Sequence, residues 1–527
     1  MSCTSKKILW IDDEIEFLRA HVMFLETRGY AVTTASGGEE GIRHIRDCAG
    51  AFDIVLLDKQ MPVKSGAATL DEIKENWPAL PVVILTGYQH TADVAMENKY
   101  DGYLTKPVDP SKLLGVCKQI IESKEQFSRK LTDRYVRGFT ENKARLDGVL
   151  SASGWMNLYT SLARWDLEIE VAAGEGVRQM HSGLKSDSGK KFCDFVIDNY
   201  ARWTSGAVER PLMAVDVLEK VVAPELNKGR SVLVVVLSGM TLGQFLAIEP
   251  EIKRNFSVTA TRFMSALPTL PNFCVPALVS GRYPGAISEL EPGIFEAGGG
   301  ADDPVVMKRL MRGGLERAGA EKVKTYYACA GGTGGKRYLK TVVDTMKKAQ
   351  TYGVLSLDII NKFIAPAPAG KPPKEAVPDS AVFRRLVESW FVNSATLEVM
   401  REICGDSCTV ILTSGQGHAF CGRASEIYET AKIGSNLRNM FGARVSVDER
   451  EVFLLEELPH FKMPAFAPGT KCLMALENYY FSLPGRGESG AKKRDINPFQ
   501  SGGISLEEMI MPLYVCRPFG SERNSGQ

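Results

Sequence analysis

The sequence has almost no net charge, no long apolar run and few histidines. Its formal net charge is +1 over 527 residues, so composition implies no general attraction to nucleic acid or to a membrane surface. No apolar stretch reaches the length of a membrane span, and the first apolar segment is interrupted by Asp12 and Asp13, unlike a signal peptide. We therefore expect a cytoplasmic protein that does not insert into a membrane.

The cysteines lack the spacing of a disulfide framework or of a zinc ribbon. There are 11 of them, and the closest pair, Cys404 and Cys408, has no second pair nearby. Apolar neighbours such as Phe192 beside Cys193 favour core thiols in a reducing compartment. The length and the 44% apolar content are enough for two to four domains with substantial cores.

Polar residues follow the apolar segments of the first 120 residues. Four apolar segments lie at 7–11, 54–57, 82–85 and 103–104. Asp12 and Asp13 follow the first segment, Asp58 the second and Thr86 the third. Lys106 follows the fourth after one threonine. Open α/β sheets place their ligands at the carboxyl ends of parallel strands. If these segments are such strands, two acids, a third acid, a hydroxyl and a lysine meet at one edge.

These residue types together predict phosphoryl chemistry. Asp12, Asp13 and Asp58 supply hard oxygen ligands suited to Mg²⁺. Asp58 would be the nucleophile toward an incoming phosphoryl group. Lys106 would pair with the charge that is gained, and Thr86 would hydrogen-bond a phosphoryl oxygen. The alternative is an α/β domain in which the acids are incidental.

Residues 54–66, IVLLDKQMPVKSG, together with Lys106-Pro107, resemble the receiver domain of bacterial response regulators. The resemblance implies a flavodoxin-like α/β fold over residues 1–122 and a cis peptide at Lys106-Pro107. It also implies a sensor histidine kinase that phosphorylates Asp58, and a switch in which Thr86 moves inward and Tyr103 follows.

Two further regions follow the first 122 residues. Residues 123–228 are poor in strand signals and have helical spacing, so we predict a helical linker or bundle that passes the receiver's signal onward, with a passive spacer as the alternative. Residues 229–527 contain two apolar runs, at 232–237 and 408–413, typical of fully buried parallel strands. We predict a second, larger α/β domain there.

Residues 499–512, FQSGGISLEEMIMP, are similar to the C-terminal signature of the PglZ branch of the alkaline-phosphatase superfamily. A receiver, a helical middle and such a domain in one chain resemble the PorX-like response regulators, which are linked to type IX secretion and gliding. The resemblance implies an alkaline-phosphatase-like α/β fold. It also implies a two-zinc phosphodiesterase or phosphatase with a threonine nucleophile and Asp and His ligands at strand ends.

This chain departs from that pattern wherever the family's nucleophile and ligands can be placed. Those positions hold Ser238, Pro271, Asn361, Ala365, Gly415, Gln416 and Ser501. Histidine is also scarce: of six in the chain, only His181, His418 and His460 lie beyond the receiver. Zinc would lack suitable ligands. We therefore predict a pseudoenzyme without zinc, whose only chemistry is gain and loss of phosphate on the receiver.

Two other interpretations remain open. In one, Thr269, His418 and further acids rebuild a metal site, and the receiver controls an active zinc-dependent hydrolase. In the other, the chain regulates transcription through a sigma factor, as the PorX resemblance suggests. In the preferred interpretation, phosphorylation promotes a homodimer, and the last domain binds a protein of the secretion apparatus or a sigma factor. We find no helix-turn-helix signal after the receiver, and direct DNA binding is not predicted.

Overall fold

The structure is a computed structural model that describes most residues of the chain. These are residues 5–48, 51–77, 80–87, 99–172, 174–296, 300–330, 336–358, 380–405, 407–429, 432–435, 437–482 and 498–519.

The chain divides into two compact units. The first comprises Met1–Gly138 and Glu168–Gln179, and the second comprises Phe139–Leu167 and Met180–Gln527. The boundaries of these units therefore fall inside the region that we predicted as a linker, at 123–228, and not at its ends. The three-part division remains a prediction about domains.

The first unit contains a five-stranded parallel sheet in the order β2-β1-β3-β4-β5. Its strands are β1 (Lys6–Ile11), β2 (Tyr30–Ala35), β3 (Ile54–Asp58), β4 (Val82–Thr86) and β5 (Gly102–Thr105). Its helical segments include Ile15–Leu18, Arg19–Glu26, Gly38–Asp47 and Gly66–Asn76. This strand order confirms the flavodoxin-like fold expected for the receiver.

Both faces of this sheet are buried. Along β1, Leu9 and Ile11 belong to one apolar cluster, whereas Ile8 and Trp10 belong to another. Alternate residues of a strand point to opposite faces, so a strand covered on both sides needs an unbroken apolar run. This requirement explains why the central strands β1 and β3 are apolar without interruption at 8–11 and 54–57.

The middle region is helical. Its helices are Pro110–Asp147, Ala152–Ala172 and Glu175–Ser205, and no strand occurs among the described residues between 123 and 225. The prediction of a strand-poor, helical middle is confirmed. Whether these helices pass on a signal stays a prediction.

The second unit is a mixed α/β structure with many short elements. Its strands are β6 (Ser231–Ser238), β7 (Ser257–Met264), β8 (Lys324–Ala330), β9 (Thr351–Asp358), β10 (Cys408–Thr413), β11 (Ala419–Phe420), β12 (Arg423–Glu426), β13 (Tyr428–Glu429), β14 (Lys432–Ser435), β15 (Asn439–Gly442), β16 (Val445–Ser446), β17 (Val452–Leu455), β18 (Lys471–Ala475), β19 (Tyr479–Ser482), β20 (Phe499–Gln500) and β21 (Ile510–Arg517). Its further helical segments are Ala214–Asp216, Leu218–Val222, Ala223–Asn227, Leu242–Asn255, Pro271–Ser280, Pro284–Leu290, Pro304–Arg317, Lys336–Lys348, Ser380–Val392, Ala395–Ile403, Leu458–Phe461 and Leu506–Met509.

The largest sheet of the second unit has the order β7-β21-β10-β6-β9-β8. Strands β10, β6, β9 and β8 run parallel, whereas β21 pairs antiparallel with both β10 and β7. The two apolar runs of the sequence are β6 and β10, which are parallel strands as predicted. The structure shows in addition that they are adjacent. Their carboxyl ends, after Ser238 and Thr413, therefore lie at the same edge.

A smaller antiparallel sheet, β14-β15-β18-β17, lies in the C-terminal third of the chain. Arg438, just before β15, and Glu508, just before β21, form an ion pair with both side chains fully buried (0% exposed). The pair joins the small sheet to the segment that leads into the large sheet. Among the described residues, no helix is both long and apolar enough to span a membrane.

Candidate phosphoacceptor site

Three of the predicted carboxylates meet at the carboxyl edge of the receiver sheet. Asp12 follows β1, and Asp58 is the last residue of β3, the strand paired with β1. Asp13 is exposed beside them, whereas Asp12 and Asp58 are buried. One carboxylate oxygen from each of the three lies within 4.8 Å of the others. The sequence prediction of this cluster therefore agrees with the geometry.

Lys106 directly follows β5, the strand beyond β4, and its side chain reaches the same cluster. Its Nζ lies 2.9 Å from Asp12 Oδ2 and 3.2 Å from Asp58 Oδ2. The Lys106-Pro107 peptide is cis, as the receiver resemblance implies. A single ammonium group thus pairs with two buried carboxylates, and it is in place to pair with an added phosphoryl group.

Neighbouring groups and burial act on the pKa of Asp58 in opposite directions. Burial raises the pKa of Asp58, Lys106 lowers it, and the neighbouring Asp12 raises it again, with a net upward direction. Burial alone would lower the pKa of Lys106, but the two carboxylates raise it overall. Lys106 is therefore a permanent cation at neutral pH.

A glycine next to the site is required by a close backbone approach. A Cβ atom on Gly66 would lie 2.2 Å from the carbonyl oxygen of Asp58. Ser65 begins the helix Gly66–Asn76 by accepting a hydrogen bond from the amide of Ala68. The turn after Asp58 can therefore fold back onto β3 only with glycine at position 66. The sequence motif contains this glycine, but its spacing does not reveal the contact.

The predicted switch residues lie on the two neighbouring strands. Thr86 ends β4, directly after Leu85, which is opposite Asp58 in the sheet register. Tyr103 lies on β5 with 49% of its surface exposed, and its ring meets Tyr100 edge-on at 6.3 Å. Thr86 is thus close in register to Asp58. The predicted coupling of Thr86 to Tyr103 involves a second state and remains a prediction.

The donor set fits Mg²⁺. Three carboxylates supply hard, charged oxygen ligands, and Mg²⁺ needs only one or two such groups beside water and phosphate oxygens. Asp13 is exposed, so the cluster is accessible from solvent. With a metal bound, Asp12, Asp13 and Asp58 would hold it, and the ion would neutralise charge on a phosphoryl donor.

Comparison with known families agrees with this geometry. Residues 8–118 match the response regulator receiver domain, and residues 125–204 match the PorX response regulator linker domain. The chain therefore contains the receiver domain of two-component response regulators. Its Asp12, Asp13 and Asp58 cluster is the acidic pocket where receiver domains normally bind Mg²⁺.

Individual relatives match mainly the receiver. The transcriptional regulatory protein ZraR of Klebsiella oxytoca is 30% identical over 221 residues, which are 40% of this chain and 47% of that protein. ResD of Bacillus subtilis is 32% identical over 124 residues, 23% of this chain and 50% of that protein. The chain thus spans about half the length of these relatives. The crystal structure of a receiver domain protein from Clostridium thermocellum is 37% identical and covers 23% of this chain and 98% of that chain, with a TM-score of 0.22.

The second unit also has polar residues at its strand ends. Ser238 is the last residue of β6, and Gly415 and Gln416 follow β10. Gln416 Nε2 donates a hydrogen bond of 3.0 Å to Ser238 Oγ. Gly415 O accepts a 2.6 Å bond from Ser265 Oγ. The structure thus brings three of the predicted positions together. Ser238 and Gln416 bond to each other, and Gly415 bonds to the hydroxyl of Ser265.

The remaining positions divide into three groups. Pro271 is the first residue of the helix Pro271–Ser280, whose Cys274 packs against Gly415. Ser501 follows β20 and is half-buried. Asn361 and Ala365 lie outside the described residues, so the structure does not place them.

Thr269 and His418, the residues considered for a rebuilt metal site, have other partners. Thr269 is fully buried, donates to Gly503 O over 2.7 Å and accepts from the Gly502 amide over 3.1 Å. His418 Nδ1 lies 2.6 Å from Gly239 O. In the described part of the chain, the only group of three or more His, Cys, Asp or Glu side chains with metal-binding geometry is the receiver cluster. Sequence reasoning missed the Ser238–Gln416 bond because nothing in the spacing signals it.

Proposed function

We propose that this response regulator is phosphorylated on Asp58, and that its second unit produces the output by binding a partner instead of by hydrolysis. A sensor histidine kinase supplies the phosphoryl group, and Mg²⁺ held by Asp12, Asp13 and Asp58 assists the transfer. Support for the receiver half comes from the carboxylate cluster and from the two contacts of Lys106. Phosphate on Asp58 would draw Lys106 and Thr86 toward it.

The proposal for the second unit rests on the contact between Ser238 and Gln416. In an alkaline-phosphatase-like domain of the PglZ type, these strand ends would carry charged metal ligands. Here a hydroxyl and a carboxamide occupy them, and they hydrogen-bond each other. Neutral oxygen and nitrogen groups of this kind are poor ligands for a two-zinc centre, which needs Asp and His. This favours a pseudoenzyme on that fold.

The partner is proposed from the resemblance of the whole chain to PorX-like regulators. The match of residues 125–204 to the PorX linker domain supports that resemblance. A protein of the secretion apparatus and a sigma factor are the two candidates. Phosphorylation would promote a homodimer and thereby present the binding surface in a new arrangement.

The receiver half is tested with acetyl phosphate and Mg²⁺ on the purified full chain, with phosphate uptake measured by intact-protein mass spectrometry. We expect one added phosphoryl group, lost in Asp58→Asn and retained in Asp71→Asn. Asp71 is a matched control because it is an exposed receiver acid paired with Lys99. Uptake that survives Asp58→Asn would place the phosphoacceptor elsewhere.

The output half is tested by elemental analysis and by activity on a nitrophenyl phosphodiester. We expect substoichiometric zinc and no chelator-sensitive hydrolysis in either phosphorylation state. Stoichiometric zinc with activity abolished by chelator would instead establish the zinc-dependent hydrolase, and would require ligands other than Ser238 and Gln416. Pull-down with and without phosphorylation then separates a secretion-apparatus protein from a sigma factor.

A further inference from the structure

The second unit contains a polar cavity. Among its described lining residues, none stands at a position where the PglZ pattern would place its nucleophile or metal ligands. Its volume is about 530 Å³, and its lining includes Gln244, Phe383, His418, Phe499 and Glu507. The cavity lies at the carboxyl edge of the large sheet, because Gln244 follows β6 and His418 follows β10. Ligands bind at this edge in open α/β sheets.

The hydrogen bonding of His418 fixes which ring nitrogen carries the proton. Nδ1 lies 2.6 Å from the carbonyl oxygen of Gly239, which can only accept, so Nδ1 carries the hydrogen. Burial lowers the pKa of His418 to about 4, so the ring is neutral at pH 7. Nε2 is therefore an unprotonated acceptor. Within the described chain, no group donates a hydrogen bond to it.

Gln244, in the first turn of the helix Leu242–Asn255, supplies a hydrogen-bond donor that complements the acceptor of His418. Its Oε1 accepts from the backbone amide of Thr241 over 2.9 Å, which assigns the oxygen to that side. Its Nε2 is therefore the outward end, and it makes no hydrogen bond to any described residue. Gln244 is 2% exposed and His418 5% exposed. A buried donor and a buried acceptor, both anchored to backbone of residues 239–241, thus line one cavity.

The aromatic lining holds the histidine in a single orientation. The His418 ring lies 5.1 Å from Phe499 at 84° and 5.4 Å from Phe383. Phe420, another lining residue, meets Phe499 edge-on at 5.1 Å. These rings supply apolar surface beside the donor and acceptor, as in sites that bind a flat molecule with one polar edge.

The charges around the cavity cancel. Lys185, Arg384 and Arg423 line it together with Asp166, Glu477 and Glu507. Lys185 pairs with Asp166 at 2.8 Å, and Arg423 pairs with Glu477 at 2.9 Å. Two of the three cations are thus already paired with acids of the same wall. This balance favours an uncharged ligand over an anion.

We propose that this cavity binds a small, uncharged planar molecule with an amide-type edge, whose carbonyl accepts from Gln244 Nε2 and whose N–H donates to His418 Nε2. An aromatic or heteroaromatic carboxamide or lactam has this pattern. Its ring packs against the phenylalanines. The site is independent of the proposed phosphorylation and of the absence of zinc.

The test uses nicotinamide as the probe and nicotinate as its matched anion, with the full chain observed by saturation-transfer NMR. The two compounds share the same ring, but nicotinate lacks the carboxamide NH₂ and carries a negative charge. We expect saturable binding of nicotinamide with a Kd on the order of 1 mM, as suits a ligand of its size. Nicotinate should bind at least about tenfold more weakly, since one lost hydrogen bond that strands a buried group is worth roughly that factor.

Two variants and one control locate the probe. Gln244→Glu keeps the acceptor for Thr241 N but removes the outward donor, and His418→Phe keeps ring packing but removes the acceptor. Each should weaken nicotinamide at least about tenfold, again the cost of one hydrogen bond to a buried group. Phe466→Ala alters a different, larger apolar cavity of about 1000 Å³ and should leave binding unchanged.

Three outcomes would overturn the proposal. One is the absence of saturable nicotinamide binding up to the solubility limit. Another is binding that Gln244→Glu and His418→Phe leave intact while their unfolding midpoints match the wild type. The third is binding lost in Phe466→Ala, which would place the probe in the apolar cavity. If either cavity variant fails to fold, the comparison of nicotinamide with nicotinate on the wild type still decides.

Discussion

The side-chain amide of Gln416 donates to the hydroxyl of Ser238 over 3.0 Å and ties the ends of β10 and β6 together. Both side chains are buried, and Gln416 Oε1 has no hydrogen-bond partner in the described structure. The two side chains, at positions where the PglZ resemblance implies metal ligands, thus hydrogen-bond each other.

Removing one member of this pair should cost more than removing both. Ser238→Ala leaves the Gln416 amide buried and unpaired, and we expect a loss of about 1–3 kcal/mol in the free energy of unfolding. Adding Gln416→Leu should recover most of it, because no buried donor then remains. Urea unfolding of the three proteins measures both effects. A double variant that is as unstable as the single one would contradict the pairing.

Gly66→Ala should destabilise the receiver and impair its site. The added Cβ would meet the carbonyl oxygen of Asp58 at 2.2 Å, so the turn must shift. We expect a cost of about 1–3 kcal/mol, typical of overpacking, with faster hydrogen exchange in β3 and slower phosphorylation. Gly115→Ala is the control, because a Cβ there meets nothing within 4 Å. An equal effect of both substitutions would argue against the clash.

The buried ion pair should be costly to break from one side. Arg438 donates to both carboxylate oxygens of Glu508, over 3.0 and 2.7 Å, and neither side chain is exposed. Glu508→Gln leaves a buried, uncompensated guanidinium, and we expect a loss of about 3–5 kcal/mol in the free energy of unfolding.

Two further variants test whether this loss of stability comes from the isolated buried charge. Replacing the pair by Arg438→Met with Glu508→Leu should be milder, because no isolated charge is left. The exposed pair of Asp448 and Arg450 is the control, and Asp448→Asn should leave the denaturation midpoint unchanged. A small effect of Glu508→Gln would show that solvent reaches Arg438.

Glu225 should contribute to acid denaturation of the second unit. Burial alone would raise its pKa, but hydrogen bonds from Lys228, Arg517 and Thr409 lower it to about 2 from the ordinary 4.5. The unfolded chain therefore binds a proton at a higher pH than the folded one. The stabilisation is complete above pH 4.5 and is lost as the pH falls toward about 2.

A pH series of denaturant unfolding checks this behaviour. Glu225→Gln should lower stability at neutral pH and flatten its dependence on pH below 4.5. A variant that keeps the wild-type slope in this window would assign the acid sensitivity to other carboxylates.

Local patterns were enough to predict the receiver site. Asp58 and Lys106 each stand just after an apolar strand pattern, and the rule for parallel sheets then brings them to one edge. The contact of Gly66 with Asp58, in contrast, depends on how a turn folds back, which no spacing shows. The ion pair of Arg438 with Glu508 joins residues 70 positions apart, and only packing of the two sheets reveals it.

The sequence alone determined the carboxylate cluster of the receiver, the helical middle and the two parallel strands β6 and β10, because each follows from local periodicity and from polar residues at strand ends. The tertiary structure decided the partners of the buried polar groups. Gln416 bonds to Ser238, and His418 and Gln244, each anchored to backbone of residues 239–241, line one cavity. The bond of Gln416 to Ser238 connects residues far apart in the chain, and it depends on which buried polar groups the packing brings together.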